Sequence, residues 1–327
     1  MICLGIESTA HTFSCGIVTF NGKILSNQRA VFETKEGGMI PNLVAEHHRE
    51  KKDEVLKNAL KEANISLNEI DLISYVRGPG LAPCLSVGRD FAKALALKLN
   101  KPIIGVNHCL AHLAIGELVS GCKDPVYLFV SGVNTQVIAF SNNKFRIFGE
   151  TLDIGLGNAL DKFGRAIGLG FPAGPRIEEL AKNGKFIELP YLVKGMDLSF
   201  SGIVTHATNL VKQKKAKIED VCYSFQEVCF SMLAEVTERA LAYCDKNELL
   251  LIGGVAANKR LNMILSKMCD ERGAKFYSVP LELAGDQGAM IAWQGILEFK
   301  AGKRFDINNC EIFPYERIDE IVVDWRV

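Results

Sequence analysis

The sequence predicts an α/β protein of two lobes, each built on a mainly parallel sheet. Three observations predict it. Short apolar, β-branched runs alternate with segments of helical spacing along nearly the whole chain. A strand–turn–strand–turn–strand opening occurs near residue 2 and again near residue 126, a weak but ordered internal echo of a duplicated domain. Finally, 327 residues exceed what one hydrophobic core usually serves.

In order, Ile2 to Ile6 reads as a strand ending in Glu7-Ser8-Thr9, Phe13 to Phe20 as a second, Asn21-Gly22 as a turn and Lys23 to Ala30 as a third. Pro41 to Ala63 has helical spacing, with Val44, Val55, Leu56, Ala59 and Leu60 on its apolar face. Asp71 to Val76 is a buried strand, Arg77 to Gly80 a tight turn and Cys84 to Leu99 a helix. Pro102 to Val106 is apolar as parallel strands are, and Asn107 is placed to cap the helix that follows. Residues 117–125 read as the hinge, giving lobes at 1–122 and 123–327.

The second opening runs Val126 to Val130, turn Ser131 to Thr135, Gln136 to Phe140, turn Asn142-Asn143, and Phe145 to Gly149. Helices follow at Asn158 to Ile167, Arg176 to Ala181, Val221 to Tyr243, Ala256 to Cys269 and Gly288 to Phe299. Strands fall at Leu249 to Ile252 and Lys275 to Val279.

Lys+Arg and Asp+Glu are equal at 38 each, so no bulk field draws nucleic acid and any RNA contact must be local. The short run Lys212, Lys214, Lys215 and Lys217 is such a candidate, against the ordinary reading of a solvated surface. Ten cysteines lack any CxxC pair and sit in apolar flanks, which suits reduced, buried thiols in a cytosol. The start reads as a strand and not as a signal peptide, and no apolar run approaches a membrane span; a cytoplasmic protein is expected.

His108 and His112 stand four apart, so their rings project from one helix face and can share a divalent ion. The bland alternative is two polar residues on a half-exposed helix. Their place after a buried strand, where open α/β sheets bind ligands, favours the metal. Asp286 is either the cap of the helix that follows it or a third ligand. Two imidazoles and a carboxylate suit iron or zinc. A zinc-peptidase reading fails, because Cys109 stands where a general-base glutamate is needed. Ser131 to Thr135 is suited to bringing backbone N–H groups to a phosphate, and Gly253-Gly254 to a close backbone approach before Asn258. Asp153 and Asp161 flank another glycine turn and serve either ribose hydroxyls, a metal or a helix cap.

Several segments, taken together, resemble one family: GIESTAH (Gly5–His11), RGPGLAPCL (Arg77–Leu85), GVNHCLAH (Gly105–His112), VSGVNTQVI (Val130–Ile138), TLDIGLGNALDKF (Thr151–Phe163), VKGMDLSFSGI (Val193–Ile203), GGVAANKRL (Gly253–Leu261) and GDQGAMIAW (Gly285–Trp293). The chain resembles the TsaD/KEOPS tRNA threonylcarbamoyladenosine synthases in their archaeal–eukaryotic branch. The resemblance implies a duplicated ribonuclease-H-like fold of the actin/hexokinase/Hsp70-like type, with two lobes around a nucleotide-binding cleft and the C-terminal helix packing back across it. It implies transfer of threonylcarbamoyl from threonylcarbamoyl-AMP to the adenosine beside the tRNA anticodon. The implied iron or zinc ligands are His108, His112 and Asp286. The implied donor-binding residues are Val130, Ser131, Gly132, Asp161, Gly174, Glu178 and Asn258, with Val133 in the phosphate turn. The implied partners are tRNA, a small atypical kinase/ATPase and two small accessory subunits of a KEOPS complex; the catalytic base is not assigned.

Some positions depart from the family pattern. Phe129 replaces a tyrosine that serves as a further metal ligand, with Tyr127 two residues away on the same strand face. Val133 replaces a glycine, and strains the turn if that turn needs positive φ. Ala173 and Gln287 replace Gly and Asn, Arg77 and Ser86 replace Gln and Arg, and Met39-Ile40-Pro41 lacks the histidine usual before that proline. Two rival readings follow. One is a kinase of the same fold, with Glu7 as its catalytic carboxylate. The other is a catalytically weakened scaffold, motivated by Phe129 and Val133.

Overall fold

The first strand, β1 (Ile2–Glu7), is central to its sheet and buried nearly throughout. Antiparallel β2 (Thr12–Thr19) and β3 (Ile24–Val31) extend the sheet on one side. Helix α1 (Pro41–Ala63) leads to β4 (Leu72–Gly78), α2 (Ala82–Leu99) to β5 (Ile103–Asn107), and α3 (His108–Ser120) starts with no intervening loop. β4 and β5 add in parallel on the other side, giving the order β3-β2-β1-β4-β5. The structure, a computed structural model, describes residues 1–33 and 39–326.

The second opening repeats the plan. β6 (Val126–Val130), β7 (Thr135–Ser141) and β8 (Lys144–Glu150) form an antiparallel meander. Four helices follow: α4 (Leu156–Ala166), α5 (Gly174–Ala181), α6 (Ser201–Lys212) and α7 (Ile218–Tyr243), with a minimal hairpin of β9 (Val193–Lys194) and β10 (Asp197–Leu198) before α6. β11 (Glu248–Ile252), α8 (Lys259–Arg272) and β12 (Lys275–Ser278) then complete the sheet as β12-β11-β6-β7-β8. Read from its meander, this is the strand order of the first sheet, so the duplicated ribonuclease-H-like plan is present. No element is read from the sequence at the β9–β10 hairpin, whose strands are two residues each, or at α6.

A short helix, α9 (Leu281–Ala284), precedes the last helix, α10 (Gly288–Lys300). The chain forms two compact units, Met1–Leu118 with Asp286–Val327, and Val119–Gly285. This differs from the simple division after residue 122, because α10 belongs to the first unit. The reason lies in β1 and β2. A Cβ on Gly5 would lie 2.2 Å from the Ala292 nitrogen, and one on Gly16 2.0 Å from that of Ala289. Two glycines therefore let the helix backbone lie directly on the strands. Ala289, Met290, Ile291, Ala292 and Ile296 then pack with Cys3, Val18, Leu72 and Val106 on that face. The opposite face carries Leu4, Ile6, Phe13 and Tyr75 against α1 and α2. In the second unit the core gathers around α7, with Phe225 stacked on Phe163 at 4.7 Å.

Among the described residues no helix is long and apolar enough to cross a membrane. Among the described residues none of the ten cysteines is in a disulfide. Nine are buried, and burial pushes thiols such as Cys84 and Cys269 up to about 11, which keeps them protonated.

Candidate metal centre and donor-binding ring

The abrupt passage from β5 to α3 positions the two histidines. Asn107 ends the strand, and its Oδ1 accepts from the Leu110 N–H at 3.1 Å, capping the helix as its residue type predicts. His108 and His112 then lie one turn apart on a buried helix, ring centroids 4.7 Å apart and nearly perpendicular. Asp286 is brought to them by the docking of α10. The Gly288 N–H donates to Ser14 Oγ at 2.8 Å, the Ala289 N–H to Asn27 Oδ1 at 3.3 Å, and Asn27 Nδ2 to Gln287 Oε1 at 2.6 Å. The first sheet thus supplies the partners that the helix start lacks.

Asp286 does not cap α10; that position is Gln287. Its Oδ1 lies 3.4 Å from His108 Nε2 and 3.3 Å from His112 Nε2. One ligand atom from each of the three residues lies within 4.8 Å of the others, so the cluster can hold a metal ion. The donor chemistry fits iron or zinc, with two imidazoles and one carboxylate leaving further positions open.

Glu7 completes the group. Fully buried at the end of β1, it accepts at Oε1 from the Thr9 N–H (2.7 Å) and hydroxyl (2.5 Å), and at Oε2 from His108 Nδ1–H (3.1 Å). A carboxylate can only accept here, so Nδ1 carries the hydrogen and Nε2 is turned toward Asp286. With both oxygens engaged, Glu7 is poorly suited to serve as a kinase's catalytic carboxylate. Sequence reasoning missed its partnership with His108, because the two are separated by 101 positions.

The electrostatics agree with a cation site. Burial works against charge on His108, but the Glu7 and Asp286 carboxylates outweigh it and hold the imidazole well above its ordinary range. Burial holds His112 below its range. It also opposes ionisation of Asp286, yet the imidazoles, His108 foremost, keep that carboxyl well below the usual carboxylate range.

The remaining donor-binding candidates all lie in the second unit, in or next to β6, α4, α5 and α8. Ser131 N–H donates to the Asn134 carbonyl at 2.8 Å, and Asn134 N–H to Ser131 Oγ at 3.0 Å, closing the turn after β6. The start of α4 packs on that turn, its Gly157 and Asn158 N–H groups donating to the carbonyls of Ser131 and Gly132. A Cβ on Gly155 would lie 2.4 Å from the Val133 oxygen, so the approach requires glycine. Asp161 on α4 accepts from the Ala173 N–H at 2.8 Å, beside Gly174, and burial raises its carboxyl. Glu178 on α5 accepts from the Lys259 N–H at 2.8 Å. Asn258 caps α8 through Leu261 N–H at 3.0 Å and donates to Gln226 Oε1 at 3.0 Å. Gly253, at φ +93°, touches the Val130 carbonyl region and links this corner back to β6.

These bonds join the ends of β6, α4, α5 and α8 into a ring. Val130 is buried within it, while Val133 is 71 % exposed. Val133 is not among the residues with positive φ, so the strain expected from replacing a glycine does not arise. Phe129 is fully buried beside Gly253, and Tyr127 packs edge-on against Phe145 at 5.5 Å. Asp153, the other candidate on the glycine turn, accepts from the Phe200 and Ser201 N–H groups. That is the loop-anchoring reading of this residue. Lys212, Lys214, Lys215 and Lys217 are exposed.

A profile of the TsaD family, described as tRNA N6-adenosine threonylcarbamoyltransferase, matches residues 22–293. The chain belongs to the TsaD family. A relative of that name from Thermococcus sibiricus is 53 % identical over 326 residues, covering 99 % of this chain and all of the relative. One from Archaeoglobus fulgidus is 51 % identical with the same coverage. A probable bifunctional tRNA threonylcarbamoyladenosine biosynthesis protein of Methanocaldococcus jannaschii is 49 % identical over 99 % of this chain, which spans 60 % of that protein. Among solved structures, full-length HypF in its phosphate- and nucleotide-bound form aligns over 92 % of this chain and 47 % of its own. The TM-score is 0.63 at 12 % identity. An activator of 2-hydroxyisocaproyl-CoA dehydratase from Clostridium difficile aligns over 94 % of this chain and all of its own, with TM-score 0.56 at 13 % identity. At such identities the likeness concerns the fold, which for this TsaD-family chain is the actin/hexokinase/Hsp70-like one.

Proposed function

We propose that this protein is a tRNA N6-adenosine threonylcarbamoyltransferase, using threonylcarbamoyl-AMP as donor and the adenosine at position 37, beside the anticodon, as acceptor. The observation that carries the reading is the convergence of His108 and His112 on one oxygen of Asp286 in a chain that matches the family end to end. In the reaction the N6 amine attacks the carbamoyl carbonyl carbon. The bond from that carbon to the phosphate oxygen breaks, AMP leaves with the electron pair, and the amine releases a proton.

The chain's residues divide the work. Gly132 and Val133 stand in the turn after β6, a position from which backbone N–H groups would serve the phosphate of the adenylate. Gly174, Glu178 and Asn258 border the same ring and serve its adenosine. His108, His112 and Asp286 hold one divalent ion, iron or zinc, with Glu7 keeping His108 Nε2 directed toward it. That ion, when bound, supplies Lewis acidity toward the carbamoyl carbonyl. The exposed lysines 212, 214, 215 and 217 are suited to tRNA phosphates. The protein works in the cytoplasm within a KEOPS-type complex, alongside a small atypical kinase/ATPase and two small accessory subunits.

The test is a transfer assay with unmodified tRNA, synthetic threonylcarbamoyl-AMP and the assembled complex, read as modified nucleoside and released AMP. His108→Ala and Asp286→Ala should each strip the metal, measured by elemental analysis, and slow transfer by about a hundredfold or more. Full turnover in either variant would overturn the assignment. ATP-dependent phosphorylation of small sugars, without nucleoside modification, would instead establish the kinase reading.

A further inference from the structure

The segment after α10 returns to the end of β4 and passes beside the β5–α3 junction. Phe313 N–H donates to the Arg77 carbonyl at 2.7 Å, Gly80 N–H to the Pro314 carbonyl at 3.1 Å, and Tyr75 OH to the Glu311 carbonyl at 3.1 Å. The Arg77 guanidinium lies over the Phe313 ring. Arg77 also grips Glu316 with two bonds, Nε to Oε2 at 3.1 Å and Nη2 to Oε1 at 2.7 Å, and both side chains are largely buried. Glu316 Oε2 accepts a third bond, from Asn107 Nδ2 at 3.0 Å.

That third bond has a consequence for the metal centre. Asn107 has one amide group with two faces. Holding its NH₂ on Glu316 turns its oxygen toward the Leu110 N–H, and this cap sets the frame of the first turn of α3. His108 is the first residue of that turn, so no loop absorbs an error between cap and ligand. Arg77 in turn keeps a buried carboxylate paired, which a lone charge there would require.

We propose that Glu316, held by Arg77, is a positioning residue for the metal centre, acting through the orientation of Asn107 and the first turn of α3. The proposal rests on the assignment of His108, His112 and Asp286 as ligands. A chain ending before residue 316 would keep all three ligands and still hold metal poorly. Its sequence signal is slight: an arginine in a glycine-proline turn and a glutamate more than two hundred positions later.

The experiment compares the full-length wild type with Glu316→Ala, Arg77→Gln and Arg326→Gln. Arg326 pairs with Glu117 toward the far end of α3, so its variant loosens the same tail without touching the junction. Two readouts are taken: zinc affinity by chelator competition, and hydrogen exchange of the Leu110 amide in metal-free protein. Glu316→Ala and Arg77→Gln should weaken zinc binding by roughly 10- to 100-fold, the range for partners of metal ligands. They should also lower Leu110 protection, and Arg326→Gln should do neither. Unchanged affinity and protection in Glu316→Ala, or equal losses in Arg326→Gln, would overturn the proposal. Wild-type protein that binds no zinc would instead refute the ligand assignment, and the exchange measurement would still decide whether Glu316 orders the turn.

Discussion

The two units share a strand order and differ in where their polar chemistry sits. In the first, a side-chain cluster is assembled from distant positions: Glu7 at the end of β1, His108 and His112 on α3, and Asp286 just before α10. In the second, the corresponding strand end is a turn of small residues, and backbone groups of α4, α5 and α8 close around it. One duplicated plan thus carries a charged, cation-suited group in the first unit and a ring closed by backbone N–H bonds in the second. The difference follows from what covers the sheets. The first carries a helix laid directly on glycines, the second a helix packed through Phe225, Met232 and Leu233.

The sharpest way to break this contrast is Gly16→Ala. Its new methyl would lie 2.0 Å from the Ala289 nitrogen, so α10 must move and Asp286 with it. A loss of about 1–3 kcal/mol or more in chemical denaturation is expected, with loss of metal; a variant of wild-type stability and metal content would refute the packing argument.

A second measurement separates the units by pH. His48 on α1 is fully buried, its Nε2–H donating to the Ala10 carbonyl at 2.9 Å, and burial lowers its pKa to about 4. Below pH 6.5 the unfolded chain takes up a proton that the folded chain refuses until about pH 4. Stability of the first unit should therefore fall by up to about 3 kcal/mol across that window and level off below it. His48→Gln should flatten that part of the profile, whereas an identical profile in the variant would show that another group is responsible.

The smallest expected effect is Val133→Gly. Because Val133 lies outside the left-handed region, glycine relieves nothing and adds freedom to the unfolded chain. A destabilisation of roughly 0.4–1 kcal/mol is expected. A gain in stability would mean that the turn was strained after all, and would revive the weakened-scaffold reading.

Most of this architecture was legible in the sequence because the strands are short apolar runs between clear turns, and the second meander repeats the first. The histidine pair was legible from its spacing alone, and Asn107 as a cap from its residue type. The attachment of α10 to the first sheet was not, since helical periodicity marks an apolar face without naming the surface that receives it. Gly5 and Gly16 did carry a signal, as glycines inside strands mark close backbone approach. Glu7 was noticed as a carboxylate, but its partner could not be read from a spacing of 101 residues. Asn258 reads from the sequence as a ligand contact; what the structure gives it is a cap and a bond to Gln226, which no local pattern announces.

Because α10 completes the first sheet, the opening third of the polypeptide cannot finish its own core until the last helix leaves the ribosome. The intervening unit can close first, while β1 and β2 wait with an apolar face uncovered. Asp286 reaches His108 and His112 only at that point. A stalled or clipped nascent chain would carry a finished second unit and an unfinished first one.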